Sequence, residues 1–204
     1  FPIGDQPALQ VVIDEALGAG IDHIVVVSSR SKPAVAEYFA ADEALLAALE
    51  EKGKAETAER LRAIGRDWRV SIVYQDDPKG LGHAVGCARE AVGDEPFAVM
   101  LPDELMASSG LLAQMNGVCA STGGSVVAVA EVPRHAVSAY GVIDPSGPLS
   151  DAGVIPVKDL VEKPPMDEAP SNYIITGRYV LTADAWDEID ALTPGRGGEL
   201  QLTD

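Results

Sequence analysis

The sequence predicts an α/β fold, a layered unit around a mixed sheet, and three observations carry that expectation. Short apolar, β-branched runs alternate with stretches of helical spacing as far as about residue 132. From Tyr140 the texture changes to short strands separated by turn residues, the pattern of antiparallel pairs. The chain has 204 residues, 47% of them hydrophobic, which is enough for one substantial core and short for two. One domain over 1–204 is therefore expected, with two halves, about 1–132 and about 133–204.

Taken in order, Leu9, Val12, Ile13, Ala16 and Leu17 fall at helical spacing behind Pro7, with Gly20 suited to a C-terminal cap. Ile24 to Val27 is a continuous β-branched run of the kind a parallel sheet buries on both faces. Pro33 opens a second helix carrying Val35, Tyr38 and Phe39, and Ala, Leu, Glu and Lys from Asp42 to about Ile64 predict one long charged helix. Val70 to Tyr74 reads as the next strand and Gln75 to Gly80 as the loop leaving it. A helix from Gly82 to Val92, a strand from Phe97 into Asp103, a helix near 108–121 marked by Ser108 and Ser109, and a strand from Val126 to Val132 complete the alternation. Beyond it come short strands at 141–143, 159–161 and 173–181 and a closing helix from Thr182 to Leu192.

Charge excludes some functions. With 32 acidic against 15 basic residues, a net −17, the surface is unfit to track a polyanion by counterion release, so no nucleic-acid partner is expected. An anionic substrate would need local cations and a divalent metal to reverse the sign inside a cleft. Cys87 and Cys119 show no metal-type spacing and read as buried thiols in a reducing, cytoplasmic setting. No apolar run approaches the roughly 20 residues that span a bilayer, so no membrane partner is expected either.

Two short acidic signatures stand out. Asp103 follows directly on the apolar run Phe97–Leu101, the place where open α/β sheets bind ligands, and reads either as a magnesium ligand or as the N-cap of the next helix. Its neighbour Glu104 reads as a solvated side chain. In Val161-Glu162-Lys163-Pro164, consecutive Glu162 and Lys163 point to opposite sides of an extended segment unless the backbone kinks, and Pro164 and Pro165 predict an abrupt strand end. One would hold hydroxyls and the other phosphate.

Gly80 and Gly82 in Lys79-Gly80-Leu81-Gly82-His83-Ala84 mark either an ordinary tight turn or a close backbone approach to a base. Gln75 just upstream carries a primary amide, the donor and acceptor pair a pyrimidine imide edge asks for. Gly141 in Ala139-Tyr140-Gly141-Val142 marks either a bulge or a sugar approach. His83 and Cys87, four apart, lack further zinc ligands nearby, and Ser108, Ser109 and Ser125 lie outside any Gly-x-Ser-x-Gly elbow. Trp68 and Trp186 read as packing groups.

With these residues assembled, the chain resembles the bacterial UTP–glucose-1-phosphate uridylyltransferases, which make UDP-glucose, over nearly its whole length. The strings that carry the likeness include Pro7-Ala8-Leu9-Gln10, Lys79 to Val85, Gly93-Asp94-Glu95-Pro96, Leu101-Pro102-Asp103, Ala139 to Val142, Val161 to Pro164, Ala169-Pro170-Ser171-Asn172, Gly177 to Leu181 and Gly198 to Asp204. The resemblance implies a Rossmann-like, three-layer nucleotidyltransferase fold with a mixed, mostly parallel central sheet and a small antiparallel sugar-binding part. It implies a nucleotide-binding half at about 1–132 and a sugar-binding half at about 133–204. Position by position, it implies that Gln75 and the Gly82 backbone hold uracil, Asp103 binds magnesium, Gly141 and Glu162 hold glucose hydroxyls, Lys163 contacts phosphate and Gly177 lines the sugar pocket. UTP, glucose-1-phosphate, UDP-glucose and pyrophosphate are the implied ligands, and a homodimer or homotetramer the implied assembly.

The family's Gly-rich phosphate loop and the Pro-Lys pair after it are not found in this sequence, so a chain truncated at both ends is expected. Two alternatives follow: another sugar-1-phosphate nucleotidylyltransferase, such as a thymidylyl transferase, or a non-catalytic module that holds a nucleotide sugar.

Overall fold

The computed structural model describes residues 2–4, 6–40, 42–66, 69–106, 110–195 and 198–203, without the side chains of 60, 63–66 and 69. Trp68, Ser108, Ser109 and Asp204 lie outside the described residues.

A two-residue hairpin, β1 (Pro2–Ile3) with β2 (Gln6–Pro7), leads into α1 (Ala8–Gly18). Helix α1 buries Val12, Ile13 and Ala16 from its apolar stripe and, with them, the polar Gln10. Strand β3 (His23–Ser28) pairs in parallel with β4 (Arg69–Tyr74), from His23 opposite Arg69 to Ser28 opposite Tyr74. Between them lie α2 (Pro33–Phe39), α3 (Glu43–Glu51) and α4 (Ala55–Arg66). The long helix expected over 42–64 is thus two. Asp42 caps α3 by accepting from the Leu45 N–H, and Gly53, at φ +71°, turns the chain before α4.

Next come α5 (Leu81–Gly86), α6 (Arg89–Val92), β5 (Phe97–Met100), α7 (Leu111–Thr122) and β6 (Val126–Glu131). A 3₁₀ segment, Arg134–Ala139, leads to β7 (Gly141–Pro145), β8 (Val157–Glu162), β9 (Tyr173–Leu181) and α8 (Ala185–Ala191). Strand β9 organises the larger sheet. On one side it pairs with β6; on the other its C-terminal half pairs with β5 and Ile174 pairs with Val142 of β7, all antiparallel. β7 continues the sheet to β8.

The sheet carries helices on both faces, which gives the three expected layers. Ala16 of α1 and Leu112, Met115 and Cys119 of α7 pack with Ala128 and Val180 in one cluster. Val85, Trp186 and Ile189 of α5 and α8 form another, in which the Trp186 ring stacks on Phe97 at 4.2 Å and donates its N–H to the Gly93 carbonyl. Trp186 is the packing group expected of it. Cys119 is buried as expected, whereas Cys87 is half-buried. The α/β class and the antiparallel β7–β8 part stand as the sequence suggests. Direct parallel ladders are fewer: among the described residues they are confined to β3–β4, because β9 runs antiparallel between β5 and β6 and keeps those two like-directed strands apart.

Candidate active site

Strand β5 ends where the site begins. Asp103 lies in the turn after it, exposed, and among the described residues its carboxylate has no hydrogen-bond or ion-pair partner. It is not a helix cap, since Gly110 occupies that place at the start of α7. Glu104 behaves differently: its Oε2 accepts from the Gly177 N–H at 2.9 Å, so half of this carboxylate is spent on holding the loop against β9.

The loop is held from below by a residue the sequence reading quoted but gave no role. Arg178, the one charged residue within the apolar strand β9, is completely buried. Its guanidinium makes a bidentate pair with Glu15 of α1, Nη2 to Oε2 at 2.8 Å and Nε to Oε1 at 3.0 Å. It also donates to the carbonyls of Leu101, Gly177 and Glu104 at 2.9–3.0 Å. A planar fork of five N–H groups is satisfied, and three of its acceptors are backbone atoms of the Asp103 loop and its neighbour strand. Gly177 completes the junction: a Cβ there would lie 2.7 Å from the Leu101 Cβ. Gly177 thus lets β9 and the end of β5 touch. A charged residue inside an apolar strand is the signal that would have revealed Arg178.

The second acidic signature closes the edge β7–β8. Gly141 stands opposite Glu162 in the ladder, and a Cβ on Gly141 would sit 3.3 Å from Glu162 Oε2 and 3.0 Å from Thr203 Cγ2. Of the two arrangements open to Glu162 and Lys163 the backbone takes the kinked one: Lys163 has φ +43°, the only positive φ among the described non-glycine residues. That turn brings the Lys163 ammonium back to Glu162 Oε1 at 3.0 Å, so the two point to the same side. Glu162 Oε2 accepts from the Thr203 hydroxyl at 2.6 Å. Between the two signatures lies Tyr179, 5% exposed, whose hydroxyl is pushed up to about 12 by burial and then by the charges of Glu104 and Glu162. One phenol therefore senses both carboxylates.

A third group forms at the end of β4. Gln75 Nε2 lies 3.2 Å from the Gly80 carbonyl and 2.7 Å from His83 Nδ1. Gly80 takes φ +113°, and a Cβ on it would strike the Leu200 backbone. The Gly82 N–H donates to the Leu200 carbonyl at 2.8 Å, and the Leu200 N–H to the Lys79 carbonyl at 2.7 Å. Residues 200–203 therefore join the Gln75–Gly82 group to Glu162. The parts played by His83 and Thr203 are not legible in sequence: His83 meets Gln75 across eight positions whose turn no motif specifies, and Thr203 meets Glu162 across 41 positions. Among the described residues no cluster of three or more His, Cys, Asp or Glu is placed to hold a metal, and no helix is long and apolar enough to cross a membrane.

Comparison with known proteins gives these groups a context. The profile described as nucleotidyl transferase matches residues 1–204. The chain is 42% identical over 205 aligned positions to the UTP–glucose-1-phosphate uridylyltransferase of Bacillus subtilis, spanning all of this chain and 70% of that protein. A Staphylococcus epidermidis enzyme of the same name is 40% identical over the same shares. A crystal structure of UDP-glucose pyrophosphorylase complexed with UDP-glucose superposes with a TM-score of 0.86 at 35% identity, covering 100% of this chain and 75% of that one. UTP-bound UGPase from Acinetobacter baumannii superposes with a TM-score of 0.85 at 36% identity, over 98% of this chain and 70% of that one. On this evidence the chain belongs to the nucleotidyl transferase family and, within it, to the UTP–glucose-1-phosphate uridylyltransferases.

Proposed function

We propose that this protein transfers the uridylyl group of UTP to glucose-1-phosphate, giving UDP-glucose and pyrophosphate. The observation that carries the reading is the positive φ of Lys163, which sets an ammonium beside the Glu162 carboxylate at the Gly141 edge. A hydroxyl-binding carboxylate next to a phosphate-binding cation is what a sugar phosphate requires. Relatives named for this reaction, aligned over the whole chain, support it.

A phosphate oxygen of glucose-1-phosphate forms a bond to the α-phosphorus of UTP while the α–β bridging bond breaks and pyrophosphate leaves with that electron pair. No side-chain nucleophile is needed, since the attacking oxygen is already anionic. The work of the protein is to bring two anions together and to neutralise charge in the transition state. Glu162 and Gly141 hold sugar hydroxyls, Gly177 lines the sugar pocket and Lys163 meets phosphate. Gln75 addresses uracil, and the Gly82 N–H joins it when Leu200 gives up its bond.

Magnesium fits this site. It is held by one or two carboxylates together with phosphate oxygens and water rather than by an all-protein cage, and Asp103 offers, at the end of β5, an exposed carboxylate with no partner among the described residues. Bound there, the ion would supply charge neutralisation at the phosphates. Glu104 is less suited to be a second ligand, with Oε2 already on Gly177. The proposal keeps a nucleotide half at about 1–132, a sugar half at about 133–204, a cytoplasmic homodimer or homotetramer, and no nucleic-acid or membrane partner.

The test is pyrophosphate release by the full natural chain with magnesium, glucose-1-phosphate and either UTP or dTTP, beside calorimetry with UDP-glucose. Release with UTP preferred is expected. Preference for dTTP would make it a thymidylyl transferase, and UDP-glucose binding with no release would make it a binding module.

A further inference from the structure

The Gln75 amide nitrogen sits between two groups, the Gly80 carbonyl at 3.2 Å and His83 Nδ1 at 2.7 Å. A carbonyl oxygen can only accept, so it is the amide nitrogen, with its two hydrogens, that must face Gly80. The second hydrogen then goes to His83, which makes Nδ1 an acceptor and places the imidazole proton on Nε2. Both donors of the amide are consumed inside the protein. What Gln75 has left for a ligand is Oε1, an acceptor. Turning the amide over would set oxygen against oxygen at Gly80, so the Gly80 carbonyl fixes the orientation and His83 answers it by giving the amide nitrogen a second acceptor.

We propose that His83 is a positioning residue for base selectivity: it locks the Gln75 amide so that only its oxygen is offered to the base. Set against ring nitrogen N3, a lone acceptor matches uracil, which carries a hydrogen there, and opposes cytosine, whose N3 is itself an acceptor; set against position 4 it would instead favour the cytosine amino group, so the selectivity requires Oε1 to stand at N3. The pair of donor and acceptor expected of Gln75 from sequence narrows to one atom. The inference rests on Gln75 being the base-contacting residue of the proposed function.

Two measurements test it. Nitrogen-15 NMR of the unliganded full natural chain at about pH 8 should show His83 with a protonated Nε2 and an unprotonated Nδ1. The opposite tautomer overturns the inference, whatever the enzyme acts on and whether or not any variant folds. Kinetically, His83→Ala should lower the UTP-over-CTP ratio of kcat/KM by about tenfold or more, mostly through KM for UTP. His83→Asn, whose amide oxygen can stand in for Nδ1, should restore the ratio to within about threefold of the natural chain. A folded His83→Ala chain with unchanged selectivity overturns the role of His83 alone. A folded Gln75→Leu chain with unchanged selectivity overturns the base-site reading as well, so the two failures can be told apart.

Discussion

Lys163 is a residue whose backbone matters as much as its charge. Two consecutive side chains on a strand diverge, and a left-handed φ of +43° brings this one back beside Glu162. Such a conformation costs a non-glycine residue about 1–2 kcal/mol, which marks the position as one where geometry outweighs local stability. Lys163→Ala makes the same backbone demand and removes the ammonium with its half-exposed aliphatic stem. It should fold as well as the parent and lose about 10²–10³-fold in kcat, the cost of a lost charge-stabilising donor. Steady-state pyrophosphate release beside a melting curve checks this; near-normal turnover would remove Lys163 from the phosphate site. Sequence showed the paired Glu-Lys and an abrupt strand end, but left open whether the two side chains diverge. It did not show that Glu162 is also held by Thr203, because that bond spans 41 positions.

At the level of elements, β9 carries the decisive work. Its alternation puts Gly177 and Tyr179 on the face toward the carboxylates and Arg178 on the face toward α1. Replacing Arg178 by Met strands the Glu15 carboxylate without a partner in a nearly closed site, for which about 3–5 kcal/mol of stability should be lost in a denaturant titration. The double replacement Arg178→Met, Glu15→Leu should recover the part of the loss due to the stranded charge, but not the part due to the loop carbonyls that lose their Arg178 donors. A loss near zero for the single variant would show that the pair does not hold the Asp103 loop. Gly177→Ala sets a Cβ 2.7 Å from Leu101, against a side chain rooted in backbone. Overpacking of this kind costs about 1–3 kcal/mol, and the displaced Leu101–Glu104 loop should lower kcat beyond any effect on melting. A fully active variant would mean that the loop position is not critical. The lesson of α3 and α4 is of the same scale. Composition announced helix throughout 42–64, yet one glycine with positive φ sufficed to fold it into a hairpin.

At the scale of the whole molecule, segments remote in the chain bring two carboxylates, Glu104 and Glu162, to bear on one buried phenol. Tyr179 sits between the charges of Glu104 and Glu162, and its hydroxyl is raised from 10.0 to about 12. Below pH about 10 the group is protonated whether the chain is folded or not, and it makes no difference to stability. Between about pH 10 and 12 the unfolded chain loses this proton and the folded one keeps it, so stability falls as pH rises, by about 2–3 kcal/mol in all. Tyr179→Phe should flatten that part of the pH–stability curve, measured by denaturant midpoints from about pH 9 to 12. An equally steep curve in the variant would show that the phenol is not the group responsible.

Sequence alone determined the succession of elements, because hydrophobic period, proline and glycine act over a few residues: β9 was legible from Tyr173 to Leu181, and α1, β3, β4 and β5 within a residue or so of their ends. It also gave the acidic signatures, since motif and spacing are local. Tertiary structure decided which strand lies beside which, placing β9 between β5 and β6, because pairing is a choice among partners remote in the chain. It likewise decided the pairing of Arg178 with Glu15 across 163 positions and the orientation of the Gln75 amide. Those bonds depend on where folded backbone leaves donors and acceptors, and no local pattern encodes that.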